Sequence, residues 1–309
     1  MKFIVRQRIK NWLIEHPSIN PYRFTFEKSF RHLTADLRLK PDFLILGYPK
    51  CGTTSLYDYL VQHPNVGSTY RKEINFFNLS FSKGMRWYKN HFPLIFKKFF
   101  FEKKFHSNFI TGEATPLYIS HPLALSRIKS MFPNIKLILL LRNPIDRSFS
   151  HFHHQRRGKL EPIEFFDEVI TLDKERNSIL NKKLQNNEIN ETNQGFFMPP
   201  YIEMGKYVKD IEKLFSLFDK KQIMIILTDD LNKNRDDVLK KVHSFLEIPS
   251  FIISDFSHKN VGHYESIKLE TRKSLIDFYK PYNQELEHLL GLKLNWDIKN
   301  KKFLSIKII

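Results

Sequence analysis

The sequence predicts one α/β domain with a central, mainly parallel sheet flanked by helices. Three apolar runs, Phe43–Leu46, Lys136–Leu141 and Gln222–Leu227, have the length of buried strands. Helical patterns follow them and no internal repeat interrupts the alternation, which is the arrangement of parallel sheets. The first two runs end in turns whose residues suit an anion, and ligands on such sheets sit at the carboxyl ends of strands.

Residues 1–40 hold nine Lys and Arg against three acidic residues, and Pro17 and Pro21 interrupt any long helix there. They read as a basic N-terminal extension. Ile4, Val5, Ile9, Trp12 and Leu13 share one side of a helical pattern that could touch a membrane or dock on its own domain. The first strand then leads into Gly47-Tyr48-Pro49-Lys50-Cys51-Gly52-Thr53-Thr54-Ser55-Leu56 and a helix ending near His63-Pro64. Loop amides and the helix N-terminus point at one spot, Gly47 and Gly52 permit close backbone approach, Lys50 adds a charge, and Thr53, Thr54 and Ser55 add hydroxyls. A nucleotide triphosphatase loop has its lysine after the second glycine. Here Lys50 precedes Gly52 by two residues.

Arg71-Lys72-Glu73 comes next, two cations holding a carboxylate ionised, followed by Phe76-Phe77, which could wall a pocket or lie buried beside a surface Lys-Glu pair. Gly84–Tyr88 reads as a short helix, and 92–105 as a helix whose lysine stems lie along an apolar face. A short strand at Ile110–Glu113 precedes Ala114-Thr115-Pro116. The run Lys136–Leu141 meets Arg142-Asn143-Pro144, where Asn143 suits an N-cap and Pro144 the first helical position. Arg142 and Ser150, eight residues apart, can grip a phosphate with a guanidinium fork and a hydroxyl. His151 and His154 lie one helical turn apart, but no acidic or cysteine partner has matching spacing, so no metal site is read. Residues 171–195 are polar, show little periodicity and are expected to be a mobile insertion.

The order Pro-Lys-x-Gly-Thr-Thr after a strand, with L-R-[ND]-P-x-[DE]-R-x-x-S further on, resembles the sulfotransferases, which use 3′-phosphoadenosine 5′-phosphosulfate (PAPS) as donor. K-E-x-x-F-F at Lys72–Phe77 and the G-x-Y at Gly205–Tyr207 narrow the resemblance to the heparan-type and bacterial carbohydrate enzymes. It covers about residues 42–297. It implies a 5′-phosphosulfate loop of Pro49, Lys50, Cys51, Gly52, Thr53, Thr54 and Ser55, a 3′-phosphate grip by Arg142 and Ser150, and Glu73 as the general base beside a catalytic Lys50. A loop at Lys259, Asn260, Val261, Gly262, His263 and Tyr264 would fold over the nucleotide, in a looser pattern than the K-G-R of many relatives. Those enzymes often read E-K-[ST]-P where this chain has Glu113-Ala114-Thr115-Pro116, so one expected cation is missing. The implied function is sulfuryl transfer from PAPS, leaving 3′,5′-adenosine bisphosphate (PAP), to a glycan, glycolipid or small-alcohol acceptor, without metal and without nucleic acid.

Length and charge agree with this. The chain has 309 residues, 41% of them apolar, and a formal charge of +17 that favours anionic partners. Cys51 is its one cysteine, so no internal disulfide forms. No apolar run reaches the length of a membrane span and no signal peptide is read, so the expectation is a cytoplasmic protein with membrane contact open through residues 1–40. The expected division is an extension at 1–40, the domain at 41–297 and a basic, apolar tail at 298–309. Two rivals remain at this point: a P-loop small-molecule kinase, and a non-catalytic binder of polyanionic glycans.

Overall fold

The structure, a computed structural model, describes residues 26–186, 188–189, 198–256 and 266–296, with the backbone alone at 26–28. Strands β1 (Phe43–Gly47), β2 (Val66–Gly67), β3 (Ile110–Ala114), β4 (Lys136–Leu141) and β5 (Ile223–Leu227) form a sheet in the order β2-β3-β1-β4-β5, with every pairing parallel. The α-helices are α1 (Phe26–Leu33), α2 (Thr53–Leu60), α3 (Phe76–Leu79), α4 (Gly84–Lys89), α5 (Ile95–Phe105), α6 (Ala124–Met131), α7 (Pro144–Arg157), α8 (Phe166–Gln185), α9 (Val208–Leu217), α10 (Thr228–Lys233), α11 (Arg235–Phe245) and α12 (Leu269–Leu290).

β1 and β4 lie inside the sheet and are buried throughout apart from Lys136, which is why their sequences are unbroken apolar runs rather than alternating ones. The chain leaves β1 toward the β2 edge and later takes up β4 on the other side of β1. The carboxyl ends of β1 and β4 therefore flank the place where the winding changes direction. α2 and α7 start from those two ends. Asn143 caps α7 as its sequence predicts, its side-chain oxygen accepting from the N–H groups of Ile145 at 2.9 Å and Asp146 at 3.4 Å.

The structure corrects the expectation for residues 171–195. α8 runs to Gln185, so the stretch begins in regular helix rather than in a mobile loop. Few apolar side chains, Phe166 and Val169 chief among them, seat this helix; charge does the rest. Asp173 is 2% exposed and accepts from the backbone N–H groups of Tyr201, Ile202 and Glu203 at 2.5, 2.8 and 2.6 Å. Arg176 pairs with the buried Glu161 at 2.7 Å. A helix docked through a carboxylate and a guanidinium shows no apolar period to be read. Of the two places open to Phe76 and Phe77, they take the buried one. Both are fully buried, Phe76 stacked on Tyr88 at 4.4 Å, and they belong to the core rather than to a pocket wall.

The end of the basic N-terminal stretch packs on the domain. Arg38 donates to the carbonyl of Phe92 at 2.8 Å and forms an antiparallel bridge with Leu94. Residues 1–25 and 297–309 lie outside the described residues.

His63, just after α2, and His243 on α11 meet edge to face with ring centroids 4.8 Å apart. His63 Nε2 lies 2.8 Å from the carbonyl of Pro249, while neither ring nitrogen of His243 has a hydrogen-bond partner among the described residues. Burial pushes the His243 imidazole down to about 4. In the unfolded chain it protonates near the ordinary value of about 6.5. The unfolded state therefore binds the extra proton first, and this contribution to stability, present above about 6.5, is lost as pH falls toward 4. His243→Phe keeps the ring contact and removes the proton acceptor. Thermal unfolding of the variant should be raised relative to the parent at pH 5 by more than at pH 7.5; equal shifts at both would show that this imidazole does not carry the acid sensitivity.

Candidate active site

The loop between β1 and α2 is held open by three features of its backbone. Gly47 closes β1 where an added Cβ would come 2.9 Å from the Leu140 carbonyl oxygen. Gly52 begins α2 at φ 91°, in the left-handed region that favours glycine. Lys50 lies at φ 74°, which a lysine adopts only at a cost of about 1–2 kcal/mol. Together these turn the chain tightly enough to leave the first N–H groups of α2 facing the loop's concave side.

Neighbouring elements fasten the loop by its carbonyls. Thr228, at the end of β5, places its hydroxyl 2.7 Å from the Cys51 carbonyl and 3.0 Å from that of Leu141. Arg142 donates to the carbonyl of Lys50 at 3.0 Å, which joins the second motif directly to the first. Tyr207, from the G-x-Y segment, donates to the carbonyl of Arg142 at 2.9 Å, and its ring lies 4.5 Å from that of Tyr48. Tyr48 in turn donates to Asp210 at 2.8 Å, a carboxyl that burial pushes up to about 6.

Positive charge gathers over this frame. Burial lowers the Lys50 ammonium below its usual range, and the charges of Arg157, Arg142 and Lys72 lower it further, so four cations face one place. Lys72 donates to Thr54 Oγ1 and pairs with Glu73 at 3.3 Å. The Glu73 side chain is 47% exposed and open to an incoming molecule. A bound anion would relieve this repulsion, and phosphate or sulfate oxygens match the donors present.

Glu73 owes its position to a buried carboxyl that the sequence reading passed over. Glu113, at the end of β3, accepts from Tyr88 at 2.9 Å, Tyr118 at 2.7 Å and Thr115 at 2.5 Å, and from the N–H of Ile74 at 3.4 Å. Burial pushes it up to about 7. Asn75 and Phe76 hang from the same group, their N–H groups donating to Thr115 at 3.4 Å and Tyr118 at 2.9 Å.

The face of α7 turned to the loop extends beyond Ser150. Ser150 is buried, and His154 and Arg157 follow at helical spacing of four and seven residues. Burial, then the Lys50 and Arg157 charges, lower the His154 imidazole, while Glu73 raises it, which puts His154 among the lysine, the arginine and the glutamate. Period arithmetic from Ser150 would have found both residues. His151 is buried and held well below its usual range by that burial, with Nδ1 unpartnered among the described residues. Arg147 does not form the surface pair that its place beside Asp146 suggests: it is fully buried and donates to the Tyr201 carbonyl, while Asp146 pairs with Arg272 at 2.8 Å.

The structure thus brings Pro49, Lys50, Cys51, Gly52, Thr53, Thr54, Ser55, Glu73, Arg142 and Ser150 to the carboxyl end of the sheet. Cys51 is fully buried and its thiol is raised by that burial, a packing residue rather than a thiolate. Lys259, Asn260, Val261, Gly262, His263 and Tyr264 lie outside the described residues.

Comparison with known proteins adds an independent line. The model of the sulfotransferase domain family matches residues 40–278. The membrane-associated sulfotransferase kil1 of Dictyostelium discoideum is 27% identical, over 83% of this chain and 66% of that protein. Human bifunctional heparan sulfate N-deacetylase/N-sulfotransferase 1 is 29% identical, over 81% of this chain and 29% of that protein. The chain therefore spans less than two thirds of either relative. The crystal structure of a sulfotransferase from Alicyclobacillus acidocaldarius matches with a TM-score of 0.63 and 25% identity, over 84% of this chain and all of that one. With the family's domain matched over most of its length, on a parallel sheet with the anion loop at its carboxyl end, the chain belongs to the sulfotransferase family.

Proposed function

We propose that this sulfotransferase takes its sulfuryl group from PAPS and delivers it in line to a hydroxyl or amine of a carbohydrate or glycolipid, releasing PAP. The observation that carries the reading is the bond from Arg142 to the Lys50 carbonyl, because it ties two phosphate-suited motifs into one cationic site. In this reading the β1–α2 loop receives the 5′-phosphosulfate, Arg142 and Ser150 receive the 3′-phosphate, and the segment Lys259–Tyr264 covers the nucleotide. A glycan acceptor is supported by the heparan sulfate relative, and peripheral membrane contact by the name of the Dictyostelium one.

The chemistry balances without a metal. The acceptor oxygen or nitrogen forms the new bond to sulfur and gives its proton to Glu73. The bond from sulfur to the bridging oxygen breaks, and PAP departs with that electron pair. Lys50 neutralises the charge growing on the bridging oxygen, as cations do in phosphoryl transfer. Lys72 pairs with Glu73 and binds Thr54, linking the base to the donor loop. The missing cation at Ala114 leaves Lys72 and Arg157 to supply charge on the acceptor side.

Calorimetric titration separates this reading from its rivals. PAP should bind more tightly than ATP with Mg²⁺; the reverse order would favour a kinase, and no binding of either would favour a simple polyanion binder. Arg142→Ala should weaken PAP binding about 10- to 100-fold, the loss of a charge-assisted bond, and Ser150→Ala by less. Unchanged affinity in both would displace the 3′-phosphate from this grip. Glu73→Gln should leave PAP affinity nearly unchanged and lower turnover about 10²-fold or more. Turnover within a few-fold of the parent would remove Glu73 as the base and direct the test to His154.

A further inference from the structure

α5 is built the wrong way round for a helix of a water-soluble domain. Ile95, Phe96, Phe99 and Phe100 are 50, 52, 58 and 66% exposed, and no residue of the helix is buried. Lys103 and Lys104 stand exposed among them, while the Lys97 ammonium lies over the Phe109 ring at 5.4 Å. Only the opposite side is seated, where Phe101 packs on Phe109 at 5.2 Å and Glu102 accepts from the Phe109 N–H at 3.0 Å. The patch continues beyond the helix. The bridge between Arg38 and Leu94 joins the turn carrying Leu37, 50% exposed, to the residue just before α5. Contiguous apolar surface of this kind marks a place where water is excluded by a partner.

From this patch we propose that the exposed face of α5, with Leu37 beside it, docks the protein on an anionic lipid surface. Charge selects the partner. Phenylalanines interleaved with lysines suit the interface of an anionic leaflet, where rings enter the acyl boundary and lysine heads snorkel to the phosphates. Each lysine near such a surface adds about fivefold to partitioning. A second copy of the same face would bring lysines against lysines. Residues 1–25 carry Lys2, Arg6, Lys10 and other cations against Glu15 alone, the same sign again. Among the described residues no helix is long and apolar enough to cross a membrane, so α5 would lie on the lipid. It also sits away from the candidate active site. Phe109 immediately precedes β3, whose amino end lies opposite the end that carries Glu113 and the anion loop. The docked protein would hold its site toward the aqueous side.

Flotation of the full-length chain with vesicles tests this. The parent should float with vesicles containing about a third phosphatidylserine and remain behind with pure phosphatidylcholine. The triple change Phe96→Ser, Phe99→Ser, Phe100→Ser and, separately, the double change Lys103→Glu, Lys104→Glu should each lower partitioning at least about tenfold while the unfolding midpoint stays within a few degrees. Both sets lie at exposed positions, so folded protein is available for the comparison. The proposal is overturned if the parent does not float, if both variants float as the parent does, or if the phenylalanine variant instead converts a dimer to a monomer with lipid binding unaltered.

Discussion

Like charges do not gather unless something holds them. At the carboxyl end of the sheet Lys72, Arg142 and Arg157 lie close enough to Lys50 to lower its ammonium, and the architecture around them is largely the means of keeping them there. The means are mostly not countercharges. Carbonyl oxygens of the loop are bound from three sides, by Thr228 from β5, by Arg142 from β4 and, through Arg142, by Tyr207 from the turn before α9. Each of these reaches the loop from a different element, so the repulsion is carried by the sheet and its helices together. Such a frame favours an anion before any ligand arrives, because the electrostatic cost of assembling the cations has been met in folding.

Buried acids do the complementary work outside that centre. Asp173 collects three backbone N–H groups, Glu113 collects two phenols, a hydroxyl and an N–H, and Asp210 takes the hydroxyl of Tyr48. Desolvation raises all three. Each carboxyl accepts bonds that would otherwise leave irregular backbone or buried phenols unsatisfied, which is costly in a core. The polar groups therefore act as joints between elements: Asp173 joins α8 to the segment before Gly205, Glu113 joins β3 to the segment holding Glu73, and Asp210 joins α9 to the anion loop.

This division explains what the sequence could disclose. Strands buried on both faces, the Asn143-Pro144 helix start and the glycine-bearing loop are local signals, and each lies where its residues suggest. Asp173, Glu113 and Arg147 give no local signal, since an acid or a guanidinium in the core reads as a surface residue until its distant partners are known. The seating of α8 was hidden for that reason. α5 misled in another way: its alternation of Phe and Lys has the look of an amphipathic helix, and only the folded chain shows Phe96, Phe99 and Phe100 turned outward. At the site, the motif residues were legible, whereas His154 and Arg157 required extending the helical face from Ser150.

Lys50 sets a limit on how this protein can change. Its backbone, at φ 74°, is one that glycine would adopt freely and lysine does not. A library sorted for heat resistance alone would be drawn to glycine at this position, and the same selection would discard the ammonium at the centre of the candidate site. Position 50 is therefore a point where robustness and the proposed chemistry prefer different amino acids, and where a consensus of hardy variants would be a poor guide to working ones.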